Sequence, residues 1–77
     1  MQEDSNVKTL DDAQLGEECI IKAIDSDDEE LKNFLFTLGC YPGEPIVVVT
    51  RKKENLVVSI KDGRYSIDNE LAKAVII

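Results

Sequence analysis

The chain has 77 residues, of which 43% are hydrophobic and 32% charged, and it contains neither histidine nor tryptophan. This length fits one small domain. Its apolar runs are far shorter than the roughly 20 residues of a membrane-spanning helix, and its acidic start is unlike a signal peptide, which predicts a cytoplasmic protein. The net charge of −7 is concentrated in residues 1–30. A negative field repels phosphate groups, so nucleic acid is not expected as a partner.

The N-terminal third is predicted to contain a tail, one helical turn and a strand. Residues 1–8 are polar and are expected to form a flexible tail, with a single domain over residues 9–77. Thr9 can cap a short turn that Gly16 ends with a positive φ angle. Residues 18–24 are rich in β-branched side chains, which predicts the first strand.

The central helix is predicted from its two ends and its apolar spacing. Ser26 followed by Glu29 matches a capping box, with serine as the N-cap. Gly39 is suited to end the helix in the left-handed conformation, and Pro42 followed by Gly43 predicts a turn beyond it. The apolar positions have the i, i+3, i+4, i+7 spacing of one helix face: Leu31, Phe34, Leu35 and Leu38.

The second half has the composition of β-structure. Residues 46–50 and 56–60 are apolar and β-branched, with a polar turn between them. Asp62 followed by Gly63 predicts a two-residue hairpin turn into a third strand over residues 64–67.

Asp68 can cap one helical turn, and residues 74–77 are apolar enough for a buried closing strand. Few short strands with one inserted helix predict a mainly β fold, a small, partly open barrel.

Few side chains are candidates for chemistry. Cys19 and Cys40 are 21 positions apart with no C-x-x-C pair, so both are expected to be reduced, buried apolar groups. The basic run of residues 51–53 is typical of a solvated hairpin tip. Without histidine no spacing supports a nucleophile and base, so the chain is not expected to be an enzyme.

The acidic run before the helix has two interpretations. Its carboxylates could hold a hard cation, but the D-x-D-x-D-G spacing of a calcium loop is absent. Acids in a first helical turn also offset the helix dipole, which is a sufficient reason for them. The residues concerned are Asp25, Asp27, Asp28 and Glu29.

The placed glycines and apolar positions resemble the FeoA family, the small ferrous iron transport protein A, over residues 10–77. The most specific piece is L-G-x-x-P-G followed by a strand, at residues 38–43. Other matching positions are Leu15-Gly16, Cys19, Ile21, Ile24, Leu35, Ile46, Val48, residues 56–60, Gly63, Ile67 and Glu70-Leu71-Ala72.

The resemblance implies an SH3-like barrel and a non-enzymatic accessory or regulatory role in bacterial ferrous iron uptake. The implied partner is the cytosolic GTPase domain of the iron permease, which would recruit the protein to the inner face of the membrane without direct membrane insertion. No cofactor is implied as required, although weak binding of Fe²⁺ or another divalent metal is compatible with the iron context. A stand-alone domain is expected.

The helix end and the Pro-Gly corner are the predicted docking surface, since aromatic side chains beside a turn suit a small interface. Its residues are Phe36, Cys40, Tyr41 and Pro42. The residues predicted to set turns are Gly16, Gly39, Gly43 and Gly63.

The alternative is a metal sensor similar to the C-terminal domain of metal-dependent repressors. It would use the four acids at positions 25–29, with or without the thiols. A peptide-binding SH3 module is disfavoured, because such grooves need clustered aromatic side chains.

Overall fold

The structure is a computed structural model that describes residues 8–77, so the tail predicted for residues 1–8 lies outside it except for Lys8. The Lys8 carbonyl accepts a hydrogen bond from the N–H of Ile77 at 2.9 Å. After a 3₁₀ turn at Leu10–Asp12, the regular elements in chain order are β1 (Glu18–Ile20), β2 (Ala23–Ile24), α1 (Glu29–Leu38), β3 (Pro45–Arg51), β4 (Asn55–Ile60), β5 (Gly63–Asp68), α2 (Asn69–Ala74) and β6 (Val75–Ile76).

The strands form two antiparallel sheets. Four strands pair in the order β1-β3-β4-β5, and β2 pairs with β6 in a second, two-stranded sheet. The prediction of a mainly β, partly open barrel with one inserted helix is confirmed, since the sheets do not close on each other and α1 lies between β2 and β3. Among the described residues, no helix combines the length and the apolar character required to cross a membrane.

The predicted first strand is in fact two strands. At Ile21 and Lys22 the extended chain passes from one sheet to the other: the N–H of Ile21 donates to the carbonyl of Glu44 at 3.0 Å, and the N–H of Lys22 donates to the carbonyl of Ile76 at 2.7 Å. The sequence shows no glycine or proline here. The change from one sheet to the other is therefore set by tertiary pairing, because either sheet can accept the hydrogen bonds of an extended chain.

The core lies between the two sheets, α2 and the 3₁₀ turn. No polar or charged side chain is buried in residues 8–77. The strands predicted over residues 46–50 and 56–60 are confirmed as parts of β3 and β4, and residues along β4 are half-buried and buried in turn. The buried residues are Leu10, Ala13, Ile21, Leu35, Cys40, Ile46, Val48, Leu56, Val58, Ile60, Ile67, Ala72, Ala74 and Val75.

The start of α1 corrects the predicted cap. Asp28, not Ser26, is the N-cap, because its carboxylate accepts from the N–H groups of Glu30 at 3.0 Å and Leu31 at 3.3 Å. Ser26 accepts from the N–H of Asp28 at 3.0 Å and so supports the cap from one step outside. Phe34, predicted on the buried face, is 46% exposed.

The β4–β5 turn also differs from its prediction. Ile60 pairs with Gly63, so the two turn residues are Lys61 and Asp62, and the positive φ (55°) belongs to Lys61. Gly63 instead makes room for a ring: a Cβ there would lie 2.5 Å from the hydroxyl of Tyr65. Glycine at position 63 thus leaves the space in which the exposed Tyr65 ring lies, and it does not supply the positive φ of the turn.

The remaining predicted turn signals are confirmed. Gly16, Gly39 and Gly43 all have positive φ angles. Gly16, however, lies beyond the 3₁₀ turn, which already ends at Asp12. Asp68 caps α2 by accepting from the N–H of Leu71 at 2.9 Å.

Candidate functional site

The predicted docking corner is built by the end of α1 and the turn that follows. Gly39 has a φ of 99°, which lets the N–H of Cys40 donate to the carbonyl of Leu35 at 3.0 Å and closes the helix. The N–H of Glu44 then donates to the carbonyl of Tyr41 at 3.0 Å across Pro42 and Gly43. Proline followed by a glycine with positive φ is the preferred sequence of a type II turn.

This turn is fastened to the rest of the domain by main-chain bonds. The N–H of Gly43 donates to the carbonyl of Ile21 at 2.7 Å, and the N–H of Ile21 donates back to Glu44. Lys61 of the β4–β5 turn forms an ion pair with Glu44 at 3.7 Å. The corner is therefore a fixed part of the fold, held on both sides.

Two aromatic rings meet at the corner surface. Phe36 in the last turns of α1 and Tyr41 have ring centroids 5.3 Å apart and planes only 6° from parallel, which is a stacked pair. Tyr41 is 48% exposed, whereas Phe36 is half-buried beneath it. Stacking restricts the Tyr41 side chain before any partner arrives. We refer to Phe36, Tyr41 and Pro42 as the aromatic corner.

Cys40 does not belong to that surface. Its side chain is fully buried among core residues, and burial alone raises the pKa of its thiol to about 11. The prediction that Cys40 contacts a partner is therefore wrong, because the alternation along residues 40–41 directs the thiol inward and the tyrosine outward. Its alternative interpretation, a buried apolar group, is correct.

Sequence reasoning missed two exposed apolar residues beside the corner. Ile20 is 50% exposed and lies directly opposite Pro45 in the β1–β3 pair. Pro45 is also exposed and follows the Pro42–Gly43 turn closely along the chain. A β-branched residue inside an apolar strand gives no sequence signal of exposure, so only the sheet register identifies it.

The acids proposed for a metal site have separate roles. Asp28 caps α1, and Glu29 pairs with Lys32 at 3.7 Å, one turn along the helix. Asp25 and Asp27 are exposed and precede the N-cap of α1 in the chain. Among residues 8–77, no three acidic or cysteine side chains converge where they could hold a metal ion.

The other thiol, Cys19, is less buried than Cys40. Cys19 on β1 is half-buried, and burial followed by the nearby charge of Glu17 raises the pKa of its thiol, with a smaller opposing effect of Lys8. Its Sγ contacts the carbonyl of Glu17 at 3.8 Å. Both cysteines are free thiols.

The basic triplet is not simply solvated. Nη2 of Arg51 donates to the carbonyl of Ala13 at 2.8 Å, and Nη1 pairs with Asp11 at 3.4 Å. Arg51 thus ties β3 to the 3₁₀ turn, while Lys52 and Lys53 remain exposed at the tip.

Comparison with known proteins points to one family. The model of the FeoA domain matches residues 8–77, which is nearly the whole chain. A comparison with curated proteins finds no match.

Several solved structures share the fold at low sequence identity. FeoA from Stenotrophomonas maltophilia, complexed with zinc and described as an SH3 domain protein, is 21% identical over 91% of this chain and 89% of its own, with a TM-score of 0.82. A FeoA-like protein from Clostridium acetobutylicum is 11% identical over 91% of this chain and 83% of its own, with a TM-score of 0.81. The SH3-like fold is thereby confirmed.

A third structure belongs to a longer protein. A manganese-dependent transcriptional repressor is 15% identical over 94% of this chain, with a TM-score of 0.85, but the match covers only 41% of the repressor. The chain therefore spans about two-fifths of that protein's length.

Proposed function

The chain belongs to the FeoA family, and on that premise we propose that it is a non-enzymatic accessory protein of ferrous iron uptake that docks on the cytosolic GTPase domain of an iron permease. Its place would be the cytoplasm, at the inner face of the membrane where the permease recruits it. No cofactor is required for this role.

The observation that supports this proposal is the stacked, exposed ring of Tyr41 on a rigid corner. Binding loses less free energy to ordering when a side chain already has its bound conformation. Tyrosine is also among the residues that contribute most to protein interfaces, because its ring is apolar and its hydroxyl can hydrogen-bond. The main-chain bonds between Gly43 and Ile21 hold the corner in place for such a contact.

The neighbouring apolar residues enlarge the surface. Ile20 and Pro45 lie side by side on the outer face of the β1–β3 pair, beside the turn that bears Tyr41. A contact of this extent is at the small end of specific interfaces, which suits a reversible regulatory partner.

The test is titration of the ¹⁵N-labelled protein with the purified GTPase domain of the permease. Tyr41→Ser is expected to weaken binding by about tenfold or more, since truncation of a tyrosine that acts as an interface hot spot costs about 2 kcal/mol or more. Tyr65→Ser is the matched control, because Tyr65 is also an exposed tyrosine (36%) but lies on β5. Absence of amide shifts at millimolar concentrations, or equal effects of the two substitutions, would contradict the proposal.

The second candidate function is a metal-binding sensor. Its support is the shared fold of the manganese-dependent repressor and the acidic run at Asp25–Glu29. It ranks below docking, because Asp28 and Glu29 already cap and pair within α1. In an anaerobic Fe²⁺ or Mn²⁺ titration, paramagnetic broadening confined to residues 25–30 would favour the sensor, and weak uniform broadening would favour docking.

A further inference from the structure

Strand β5 leaves one side of the four-stranded sheet open. It is the last strand in the order β1-β3-β4-β5, and its residues alternate little in burial: Arg64, Tyr65, Ser66 and Asp68 are all exposed. Its six pairs with β4 run without a bulge, and it contains no proline. A bulge and a proline are two of the features by which natural edge strands prevent pairing with another chain, and β5 has neither. β5 is therefore a regular, accessible edge.

One hydrogen bond identifies which main-chain groups point outward. The N–H of Asn69 donates to the carbonyl of Glu54 at 3.3 Å, one step beyond the Asn55–Asp68 pair. In an antiparallel ladder, residues alternate between facing the partner strand and facing away. Residues 63, 65, 67 and 69 thus face β4, and residues 64, 66 and 68 face the open side.

The outward main-chain groups are available. Within the described chain, neither the N–H nor the carbonyl of Arg64 or Ser66 takes part in a turn, loop or cap hydrogen bond. After Asp68 the chain enters α2, whose Ala72 and Ala74 are buried against the core. The helix consequently turns toward the interior, and Asp68 itself remains exposed.

We propose that β5 pairs antiparallel with β5 of a second copy of this chain, in a symmetric register centred on Ser66. In this register the two Ser66 residues exchange their main-chain hydrogen bonds. The N–H of Asp68 donates to the carbonyl of Arg64 in the other copy. The outward-facing residues are the ones that meet, as an antiparallel ladder requires.

Charge complementarity selects this register. Centring on Ser66 places Arg64 opposite Asp68 of the second copy, twice by symmetry, and both side chains are on the same face of the sheet. Centring on Arg64 would place two guanidinium groups opposite each other, and centring on Tyr65 would place Arg64 opposite serine. On the other face, Tyr65 would lie opposite Ile67, whose side chain is already buried in the core of its own copy, so the register rests on the charge pairs.

The dimer is expected to be weak and concentration-dependent. One short pair of strands buries less than the roughly 1,000 Å² of a stable interface. The net charge of −7 on each copy opposes association. At physiological ionic strength that long-range repulsion is screened beyond about 8 Å, whereas the directly opposed Arg64 and Asp68 remain in contact.

The experiment is a dilution series of the ¹⁵N-labelled protein from about 1 mM downward at physiological salt, a range chosen for a small interface. Concentration-dependent shifts are expected at residues 63–68. Arg64→Glu and Asp68→Lys are each expected to raise the dimer dissociation constant about tenfold or more, since each opposes like charges twice. Asp68→Lys also removes the carboxylate that caps α2, so Asp68→Asn, which keeps a side-chain acceptor for the N–H of Leu71, is its folding control. An equimolar mixture of the two variants should restore dimerisation, because the carboxylate introduced at position 64 meets the ammonium introduced at position 68.

A backbone substitution tests the main-chain bonds separately. Ser66→Pro removes the central outward N–H without affecting the β4 ladder, since proline is tolerated on the open side of an edge strand. It should abolish the dilution shifts, and Ser66→Ala should retain them.

Three outcomes would overturn the proposal. One is a chain that stays monomeric at the highest concentration, and another is a variant mixture that does not recover. The third is a set of dilution shifts located at β1, the other edge of the sheet, instead of β5. None of these measurements involves the permease, so they are independent of the docking proposal.

Discussion

Of the two helices in residues 8–77, the shorter one has the larger number of buried residues. Helix α1 has ten residues but only Leu35 is fully buried, whereas α2 has six residues and buries both Ala72 and Ala74. α2 lies where β5 leads into β6 and packs close to the strands, which small side chains permit. α1 covers one side of the barrel with a largely half-buried face. Position between strands, not helix length, therefore decides how many residues of a helix are buried.

The largest expected effect tests how much of α1 depends on one side chain. Leu35→Ala should lower the free energy of unfolding by about 2–5 kcal/mol, because it removes a fully buried leucine and leaves a cavity. Phe34→Ala, its neighbour on the same helix, is the control. Phe34 is 46% exposed, so its loss should be much smaller. Urea denaturation measures both losses, and equal losses would contradict the role of Leu35 as the main anchor of α1.

The next effect concerns the thiol that follows α1. Burial raises the pKa of Cys40 from its ordinary value of 9.0 to about 11, so the folded state holds the thiol proton more tightly than the unfolded chain. The resulting stability is complete below pH 9 and is lost as the pH rises through 11. The slope is about 1.4 kcal/mol per pH unit between these values. When the free energy of unfolding is plotted against pH, the parent should fall more steeply than Cys40→Ala between pH 9 and 11 and run parallel to it below pH 9. Parallel curves up to pH 11 would contradict a raised pKa at Cys40.

Overfilling α2 should cost somewhat less than emptying α1. Ala72→Leu introduces a larger side chain at a fully buried position and should destabilise the domain by about 1–3 kcal/mol. Lys73→Leu, at the exposed neighbouring position, is the control and should change little. Thermal denaturation would measure both. If Ala72→Leu leaves the melting temperature unchanged, α2 is not closely packed against the core, and the proposed difference in burial between the two helices is wrong.

The smallest effect compares the two helix caps. Asp28→Ala and Asp68→Ala each remove a carboxylate that accepts helix N–H groups, at a cost of about 1 kcal/mol. Hydrogen exchange should separate them. Loss of the α1 cap should speed exchange mainly within α1, whereas loss of the α2 cap should affect the strands as well, because α2 is part of the core. Confinement of both effects to their own helices would remove the distinction.

Local signals in the sequence predict most elements but not their partners. The helix stop at Gly39, the cap at Asp68 and the strands of the second half follow from residue chemistry within a few positions. The prediction of Ser26 as the N-cap of α1 is wrong, because Ser26 and Asp28 both have side chains suited to capping. Only the position at which the helix begins selects Asp28. The separation of β1 from β2 has no local cause at all.

The candidate site shows the same division. That aromatic residues flank the Pro-Gly turn is visible in the sequence, whereas the 6° stacking of Phe36 on Tyr41 and the burial of Cys40 are not. Gly63 is a further case: Asp62-Gly63 has the sequence of a hairpin turn, yet the positive φ belongs to Lys61, and Gly63 leaves room for the ring of Tyr65. The same glycine could serve a backbone turn or make room for a nearby side chain, and the sequence does not distinguish these two roles.

The passage of the chain at Ile21 and Lys22 between two sheets has a kinetic consequence. Residues 23–24 find their partners only at residues 75–76, so the second sheet requires closure of a loop that spans most of the domain. Contacts so distant in sequence slow the search for the native state, and refolding times of milliseconds to seconds are typical of such topologies. The adjacent N–H groups of Ile21 and Lys22 donate to different sides of this junction, Glu44 and Ile76. Because these two bonds are made by neighbouring residues, we expect the two sheets to form together.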